Sequence, residues 1–274
     1  MNDHEDNEFY FSEGATLIAV IIPFYNEITL INRAVSSVLI QHDDAHVIEF
    51  EIIICNDGNY TKEEILGAIA SAAHKSLHII KNLGQKGPGG ARNCGLNHAT
   101  GDYIAFLDAD DYWLPGKISR QLDMIDLGCS FVTTAYQFEN VRNTIVPPES
   151  IRKSIDIFKK LGIGTSTVLA KRSLCDKYRF KDVRFSQDID YWFRLAQSNN
   201  FKYGAVRDVF VIYSLSGSTR NKVVQLVSFW KVLNLNNINI ITKLIIILNY
   251  SVRGIYNYYF RYGIKLKNIF RLCG

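Results

Sequence analysis

Four short apolar runs are spaced along the first half of the chain, and each one ends at polar or turn-forming residues. The runs are too short for helices and are rich in strand formers, so they predict buried strands. The segments between them place apolar residues at helical spacing, and one begins with a capping threonine followed by acidic residues. The predicted strands are Leu17–Ile22, Phe50–Cys55, Leu77–Ile80 and Tyr103–Leu107, and the predicted helices are Ile28–Leu39, a helix capped by Thr61, and Ala91–Ala99.

The alternation of strand and helix predicts an α/β fold with one Rossmann-like, mostly parallel central sheet and helices on both of its faces. After Asp111 the pattern is looser, with a helix predicted at Pro115–Leu127, a strand at Cys129–Ala135 and a helix at Ser186–Ser198. The polar start predicts a lead-in, and the end predicts an amphipathic helical tail. We divide the chain into a lead-in at 1–15, one domain at 16–220 with halves at 16–111 and 112–220, and a tail at 221–274.

The composition is ordinary for a globular protein, with 47% hydrophobic residues and a formal net charge of +4. The charge is unevenly placed, because the stretch from Val209 to Gly274 holds nine Lys and Arg and no Asp or Glu. Such a basic end predicts an anionic partner, either a membrane surface or nucleic acid. Five widely spaced cysteines predict neither a disulfide framework nor a zinc site, and the acidic start is no secretory signal, so we expect a cytoplasmic protein.

The basic tail also carries an apolar stripe, in which steps of four and three residues keep the apolar side chains on one side of a helix. Its apolar stretches are too short to cross a bilayer, so the stripe predicts a peripheral helix in the headgroup plane of an anionic inner leaflet. The alternative is packing on the protein body or on a second subunit, and the stripe favours lipid over nucleic acid as partner. Its members are Ile241, Ile245, Leu248, Val252, Ile255 and Tyr259.

Three carboxylates follow the fourth predicted strand, in the sequence Asp108-Ala109-Asp110-Asp111. At the carboxyl edge of a parallel sheet, Asp108 and Asp110 suit a hard cation, Mg²⁺ or Mn²⁺, shared with the phosphates of a substrate. The alternative is an acidic N-cap, with Asp110 or Asp111 opening the helix that follows Pro115. This stretch alone leaves both interpretations open.

Polar residues with similar alternatives follow other elements. Asp57 is placed to accept hydrogen bonds from a nucleotide base or ribose, or else it forms a plain Asp-Gly turn. The glycine-rich loop Gly84–Gly90 fits neither phosphate-loop motif, but Lys86 and then Arg92 at a helix start are cations that a diphosphate would meet, unless the loop is only surface. Asp188 stands at a helix entry with an aromatic band behind it, as a general base would, or else it caps that helix.

Together these segments resemble the family 2 glycosyltransferases with the GT-A fold, from about Leu17 to Tyr213. Each motif is loose, but five of them in the right order at the right spacing are specific. They are Val20-Ile21-Ile22-Pro23-Phe24-Tyr25-Asn26-Glu27, Ile54-Cys55-Asn56-Asp57-Gly58, Ala91-Arg92-Asn93, Phe106-Leu107-Asp108-Ala109-Asp110-Asp111 and Gln187-Asp188-Ile189-Asp190-Tyr191-Trp192.

The resemblance implies an inverting, metal-dependent enzyme that moves a hexose, with UDP-glucose or UDP-galactose as the expected donor. The implied acceptor is a sugar hydroxyl on a polyprenyl-diphosphate carrier in bacterial surface-polysaccharide (O-antigen or capsule) synthesis. Asp188 would be the catalytic base, and Asp108 with Asp110 would bind Mn²⁺ or Mg²⁺. The nucleotide-sugar pocket would be lined by Pro23, Tyr25, Glu27, Asp57, Arg92, Asp108 and Ala109.

Two other functions stay open on the residues alone. A haloacid-dehalogenase-like phosphatase also ends an apolar strand with Asp-x-Asp, and its first aspartate acts as a nucleophile. The other is a nucleotide-sugar-binding scaffold at the membrane that does not catalyse transfer.

Overall fold

The computed structural model describes residues 12, 14–69, 77–141, 143–160, 162–183, 185–214 and 222–262, with the side chains of 224–252 in the last part. The predicted lead-in therefore lies almost entirely outside the described residues. The first half of the fold consists of β1 Thr16–Phe24, α1 Ile31–Leu39, β2 Ile48–Asn56, α2 Lys62–Gly67, β3 Leu77–Lys81, α3 Pro88–His98 and β4 Tyr103–Phe106.

The described part of the second half is less regular, because it mixes three strands of only two or three residues with two longer strands. A 3-10 turn at Thr165–Thr167 directly precedes the strand Leu169–Lys171. The elements are β5 Tyr112–Trp113, α4 Lys117–Asp126, β6 Phe131–Phe138, β7 Thr144–Ile145, α5 Asp156–Lys159, β8 Leu169–Lys171, α6 Arg172–Cys175, α7 Gln187–Leu195, β9 Tyr203–Tyr213, α8 Lys222–Leu235 and α9 Ile240–Tyr262.

All the strands described here join one sheet, in the order β3-β2-β1-β4-β8-β6-β9-β5, with β7 paired to β6. The strands β3, β2, β1 and β4 are parallel, and β6 and β9 are parallel to each other. Between these groups β8 is antiparallel to both of its neighbours, and β5 and β7 are antiparallel to their partners. Because two antiparallel steps restore the direction, β6 and β9 run the same way as β1, and the predicted mostly parallel α/β sheet is confirmed.

The sheet is covered on both faces, which explains why β1 is apolar at successive positions rather than at alternate ones. Ile18, Val20 and Ile22 face a core shared with α1 and α4, whereas Ala19 and Ile21 face a second core shared with α3, α7 and the last two helices. The second core is rich in aromatic rings from α7, since Tyr191 and Trp192 are fully buried there. The sheet therefore holds α3 and α7 together on one face.

The two C-terminal helices pack on the second core. Phe229, Val232 and Leu233 of α8 and Ile246 of α9 are fully buried. The predicted apolar stripe lies on a different side of α9 and is exposed as far as its side chains are described, so it does not cover the protein body. Its exposed members are Ile241, Ile245, Leu248 and Val252, while Ile255 and Tyr259 lie outside the described side chains.

Candidate active site

The candidate site lies at one edge of the sheet, where β1, β2, β3 and β4 all end. Because these strands are parallel, their carboxyl ends deliver successive polar segments to the same place. Pro23 is buried within β1 opposite Cys55, so its position is set by the strand. Tyr25, just after the strand, is 61% exposed and can offer its ring to a ligand.

Asp57 organises the loop that follows β3. One carboxylate oxygen accepts a hydrogen bond from Asn82 Nδ2 at 2.7 Å, and the other accepts one from the Gly87 amide at 2.7 Å. Lys86 Nζ lies 3.4 Å from the same carboxylate. Asp57 is thus buried and cross-links β2 to the glycine-rich loop, which is more than the plain Asp-Gly turn that was its alternative. The loop is also shorter than expected, because α3 already begins at Pro88, and Arg92 lies inside the helix rather than at its start.

The loop after β1 closes against the loop after β2. Glu27 accepts hydrogen bonds from the amides of Tyr25 at 2.7 Å and Asn26 at 3.0 Å, which fixes a tight turn. Gly58 lies so near this turn that a Cβ added to it would come within 1.8 Å of the Tyr25 carbonyl oxygen. The close approach of two backbones therefore requires glycine at this position.

Replacing Gly58 by Ala is expected to lower the free energy of unfolding by about 1–3 kcal/mol, since the contacting atoms belong to the backbone and must move. Gly67→Ala is the matched control, because no atom lies within 4 Å of the added methyl group and Ala favours the helix. Urea unfolding of both variants measures the difference. Equal stability of the two variants would contradict the close packing of these loops.

The Arg92–Asp108 ion pair joins α3 to the end of β4. Arg92 Nη2 lies 2.5 Å from Asp108 Oδ1, and the guanidinium is 5.6 Å from the centre of the Phe180 ring. Burial lowers the pKa of Arg92, but the charge and hydrogen bond of Asp108 outweigh burial, so the pKa is raised overall. Among the described residues Arg92 Nε has no hydrogen-bond partner, although it is buried. A buried cation with an unused donor suits an anionic ligand at this edge.

The third carboxylate, Asp111, holds the acidic segment in place. It accepts hydrogen bonds from Ser166 Oγ at 2.7 Å and from the Ser214 amide at 3.1 Å, while Ser166 Oγ accepts one from the Asp108 amide at 3.1 Å. Burial, with the charge of Asp108, raises the pKa of Asp111 well above its usual value. Asp111 thus connects the end of β4 to the end of β9, and it faces the interior.

Asp110 is held through its backbone, since Arg33 Nη2 donates to its carbonyl oxygen at 2.8 Å. The segment does not cap α4: the N-cap is Gly116, β5 intervenes, and the acidic N-cap expected as the alternative is wrong. Ala109 is buried, so only its backbone is available to a ligand.

Asp188 lies in the first turn of α7, which starts next to α3. The N-cap is Ser186 in a left-handed conformation, so Asp188 does not cap the helix and that alternative is also wrong. Burial raises the pKa of Asp188, the charge of Arg92 lowers it and the charge of Asp108 raises it. These mutual effects place the Asp188 carboxyl within electrostatic range of the Arg92–Asp108 pair. A carboxylate with a raised pKa beside a cationic site is suited to accept a proton.

Glycine at the start of α3 allows α7 to come this close. A Cβ on Gly89 would meet Gln187 Oε1 at 2.2 Å and Phe180 Cβ at 3.3 Å, so a larger residue would force the Gln187 side chain to move. The structure therefore brings together Asp57, Arg92, Asp108 and Asp188 from four separate parts of the chain.

The family of the chain follows from comparison with known proteins. Residues 19–184 match the sequence model of the family described as glycosyl transferase family 2. This chain belongs to glycosyl transferase family 2. The resemblance seen in the five motifs is thereby confirmed, and neither the phosphatase nor the non-catalytic scaffold gains support. The match ends before Asp188, so the role of that residue rests on the geometry.

Two relatives of this family 2 chain illustrate its likeness to known enzymes. It is 30% identical over 254 residues to the UDP-Glc:alpha-D-GlcNAc-diphosphoundecaprenol beta-1,3-glucosyltransferase WfgD of Escherichia coli, covering 90% of this chain and 96% of that protein. It is 31% identical over 194 residues to the putative teichuronic acid biosynthesis glycosyltransferase TuaG of Bacillus subtilis, covering 69% of this chain and 75% of that protein.

Solved structures confirm the GT-A fold. The crystal structure of residues 1–349 of S. aureus TarS in complex with UDP superposes with a TM-score of 0.60 at 20% identity, over 80% of this family 2 chain and 63% of that chain. A mannosyltransferase from Pyrobaculum calidifontis, solved with GDP-Man and Mn²⁺, gives a TM-score of 0.53 at 17% identity, over 80% and 61% of the two chains.

The donor set of this family 2 site fits the expected Mg²⁺ or Mn²⁺. Among the residues described, no cluster of three or more His, Cys, Asp or Glu could hold a metal ion by itself. Asp108 and Asp110 offer hard oxygen ligands, and Mg²⁺ commonly binds through one or two carboxylates while substrate phosphates and water complete the set. Two carboxylates together with a substrate diphosphate would make up such a donor set.

Several contacts of this family 2 site were missed in the sequence. Asn82 follows β3 at the same edge as Asp57, and a polar residue just after a parallel strand is a signal that could have found it. Arg33, Ser166 and Tyr213 carry no local signal, because they reach the site from α1, the 3-10 turn and β9.

Proposed function

We propose that this protein is an inverting glycosyltransferase that moves a hexose from a UDP-sugar to a sugar hydroxyl on a polyprenyl-diphosphate carrier in bacterial surface-polysaccharide synthesis. The observation that carries the proposal is the buried Arg92–Asp108 pair at the edge where the parallel strands end, with the first turn of α7, which holds Asp188, packed against the start of α3. The charges of Arg92 and Asp108 both influence the pKa of Asp188, which supports its assignment as the base. The name of the relative WfgD supports UDP-glucose as the first donor to test, and GlcNAc-diphosphoundecaprenol as the first acceptor.

The donor would lie along the carboxyl edge of the parallel strands. Tyr25, Glu27 and Asp57 are placed for the nucleoside, since they are the polar residues after β1 and β2. Arg92 is placed for the diphosphate, which would use its free Nε or compete for its contact with Asp108. A divalent cation held by Asp108 and Asp110 would supply positive charge to the leaving nucleoside diphosphate.

The acceptor would enter from the side of α7. Its hydroxyl oxygen forms a bond to the anomeric carbon of the donor sugar while the bond from that carbon to the phosphate oxygen breaks. The hydroxyl proton moves to the Asp188 carboxylate, and the nucleoside diphosphate departs with the bonding electrons. A single displacement of this kind inverts the anomeric carbon, and the raised pKa of Asp188 favours proton acceptance.

Transfer assays with lipid-linked GlcNAc and a panel of UDP-sugars, with and without Mn²⁺, test this proposal. We expect release of UDP and a disaccharide-lipid product with UDP-glucose or UDP-galactose, with inverted configuration by NMR. A retained configuration would contradict the single displacement. No product and no UDP-sugar binding by calorimetry would overturn the assignment of the donor site.

We further propose that the exposed apolar face of α9 binds the inner leaflet of the cell membrane. No described helix is long and apolar enough to cross a membrane. Ile241, Leu244, Ile245 and Leu248 are nevertheless 50–69% exposed on one helix of a tail that lacks acidic residues. An apolar face on a basic tail suits an anionic lipid surface, and the proposed acceptor is itself anchored in lipid.

The double substitution Ile245→Glu and Leu248→Glu is expected to weaken binding to phosphatidylglycerol vesicles by at least about tenfold, because two apolar side chains no longer enter the lipid. Both side chains are exposed, so folding should persist. The control is Leu127→Glu, a charge placed on a leucine that is 79% exposed at the end of α4. Vesicle sedimentation measures binding, and equal binding by all three proteins would exclude this face.

A further inference from the structure

Asp190, two residues after the proposed base, is a fully buried carboxylate that joins three parts of the chain. Its Oδ2 accepts a hydrogen bond from Arg194 Nε at 2.8 Å within α7, and its Oδ1 lies 3.4 Å from Lys181 Nζ. Asp190 Oδ1 also accepts a hydrogen bond of 2.7 Å from Asn236 Nδ2, which lies just after α8. A buried carboxylate needs such partners, so losing one leaves a costly unsatisfied oxygen.

Asn236 is presented by a well-defined corner between α8 and α9. Its Nδ2 also donates to the Val232 carbonyl at 2.8 Å, which leaves little freedom for the amide. Asn237 adopts a left-handed conformation with φ of 53°, and the Ile238 amide returns to the Leu233 carbonyl at 3.1 Å. This is the pattern of a helix end closed by a left-handed residue.

The rest of the hairpin formed by α8 and α9 is fixed against the same core as α7. Phe229 is fully buried, and the Tyr250 ring lies 4.9 Å from it between ring centres. Burial raises the pKa of Tyr250, and the charge of Asp188 raises it further, so this ring lies within electrostatic range of the proposed base. The hairpin therefore borders α7 near both Asp190 and Asp188.

We propose that Asn236 is a positioning residue that couples the α8–α9 hairpin to the catalytic base through Asp190. Asp188 and Asp190 share the short helix α7, whose nine residues give it little rigidity of its own against tilting. Arg194 fixes the helix from within, whereas Asn236 fixes it to the hairpin. The inference rests on the proposed role of Asp188. It gives the α8–α9 hairpin, which carries the exposed apolar face, a role in positioning the base that would deprotonate the acceptor.

The first test compares Asn236→Ala with Asn234→Ala. Asn234 lies two residues earlier, in the last turn of α8, and its exposed side chain accepts a hydrogen bond from Lys243, which makes it the matched control. We expect Asn236→Ala to lower kcat about tenfold with donor Kd unchanged, because a small displacement of the base impairs transfer without touching the donor site. Hydrogen–deuterium exchange in the first turn of α7 should become faster in this variant alone.

A double-mutant cycle with Asp190→Asn separates positioning from general destabilisation. If Asn236 acts through Asp190, the double variant should have the kcat of Asp190→Asn and no further loss. A double variant whose loss of kcat is the product of the two single losses would overturn the coupling. The coupling would also be overturned if Asn236→Ala had the same kcat and the same α7 exchange rate as Asn234→Ala. Failure of the unmodified enzyme to transfer any sugar would instead overturn the proposed function, and the exchange comparison would still decide whether Asn236 holds α7.

Discussion

Replacing Asp188 by Asn is expected to reduce turnover by about 10²–10⁴-fold while donor affinity stays unchanged, because the amide keeps the shape of the carboxylate but accepts no proton. Steady-state kinetics with the lipid-linked acceptor measure turnover, and calorimetry with the UDP-sugar measures binding. Asp123→Asn is the control, since the Asp123 side chain is exposed on α4 and forms an ion pair with Arg120 there. Near-normal turnover of Asp188→Asn would reject the base assignment.

The same substitution is expected to raise thermal stability at neutral and alkaline pH. Burial raises the pKa of Asp188 above its unfolded value, so stability is lost as the pH rises from the unfolded pKa, and the full cost of the charged carboxylate is present above the folded pKa. Below the unfolded pKa the side chain is protonated in both states and this cost disappears. The melting temperature of Asp188→Asn should therefore exceed that of the parent at pH 8 and converge with it in acid. In the parent, activity should fall as the pH drops through the raised pKa.

The second large effect is expected for Asp110→Asn, which should weaken Mn²⁺-dependent UDP-sugar binding by roughly two orders of magnitude. One of two hard oxygen ligands is lost, and each contributes several kcal/mol to holding a diphosphate through a cation. Calorimetry with and without Mn²⁺ gives the comparison, since parent and variant should bind equally weakly once the metal is removed with EDTA.

Asp110→Asn should leave folding intact, because the amide has the shape of the carboxylate and the hydrogen bond from Arg33 goes to the backbone carbonyl, which the substitution keeps. Asp123→Asn again serves as the control for removal of a surface charge. Unchanged Mn²⁺-dependent affinity in Asp110→Asn would falsify the proposed metal site.

The first half of the domain, residues 16–111, was predictable because the signals for its strands and for the polar residues after them lie next to each other in the sequence. Each buried parallel strand is a short apolar run, and each run ends directly at a polar segment such as Asp57 or Asp108. Parallel strands bring those ends to one edge whatever the loops do, so the sequence order alone placed these residues together. The helix cap predicted at Thr61 is present for the same reason, and the structure shows that Thr61 and Glu64 form a capping box within one turn.

The other half was less predictable because its contacts depend on pairings distant in sequence. The N-cap alternatives for Asp111 and Asp188 were plausible locally, but β5 and the left-handed Ser186 decide against them. Asp111 binds Ser166 and Ser214, which lie 55 and 103 residues away. No periodicity predicts such partners, and the contact of Asn236 with Asp190 is of the same kind.

The antiparallel pairing of β4 with β8 delays completion of the sheet while the chain is being made on the ribosome. The strands β1 to β4 emerge early and pair through short crossovers, but β8 follows β4 by about 60 residues. At the usual pace of translation that interval lasts about 3–13 s. Throughout it β4 has an open edge, which is a template for pairing with another chain. The yield of folded enzyme in a cell should therefore depend on chaperones that shield this edge as well as on the stability of the finished fold.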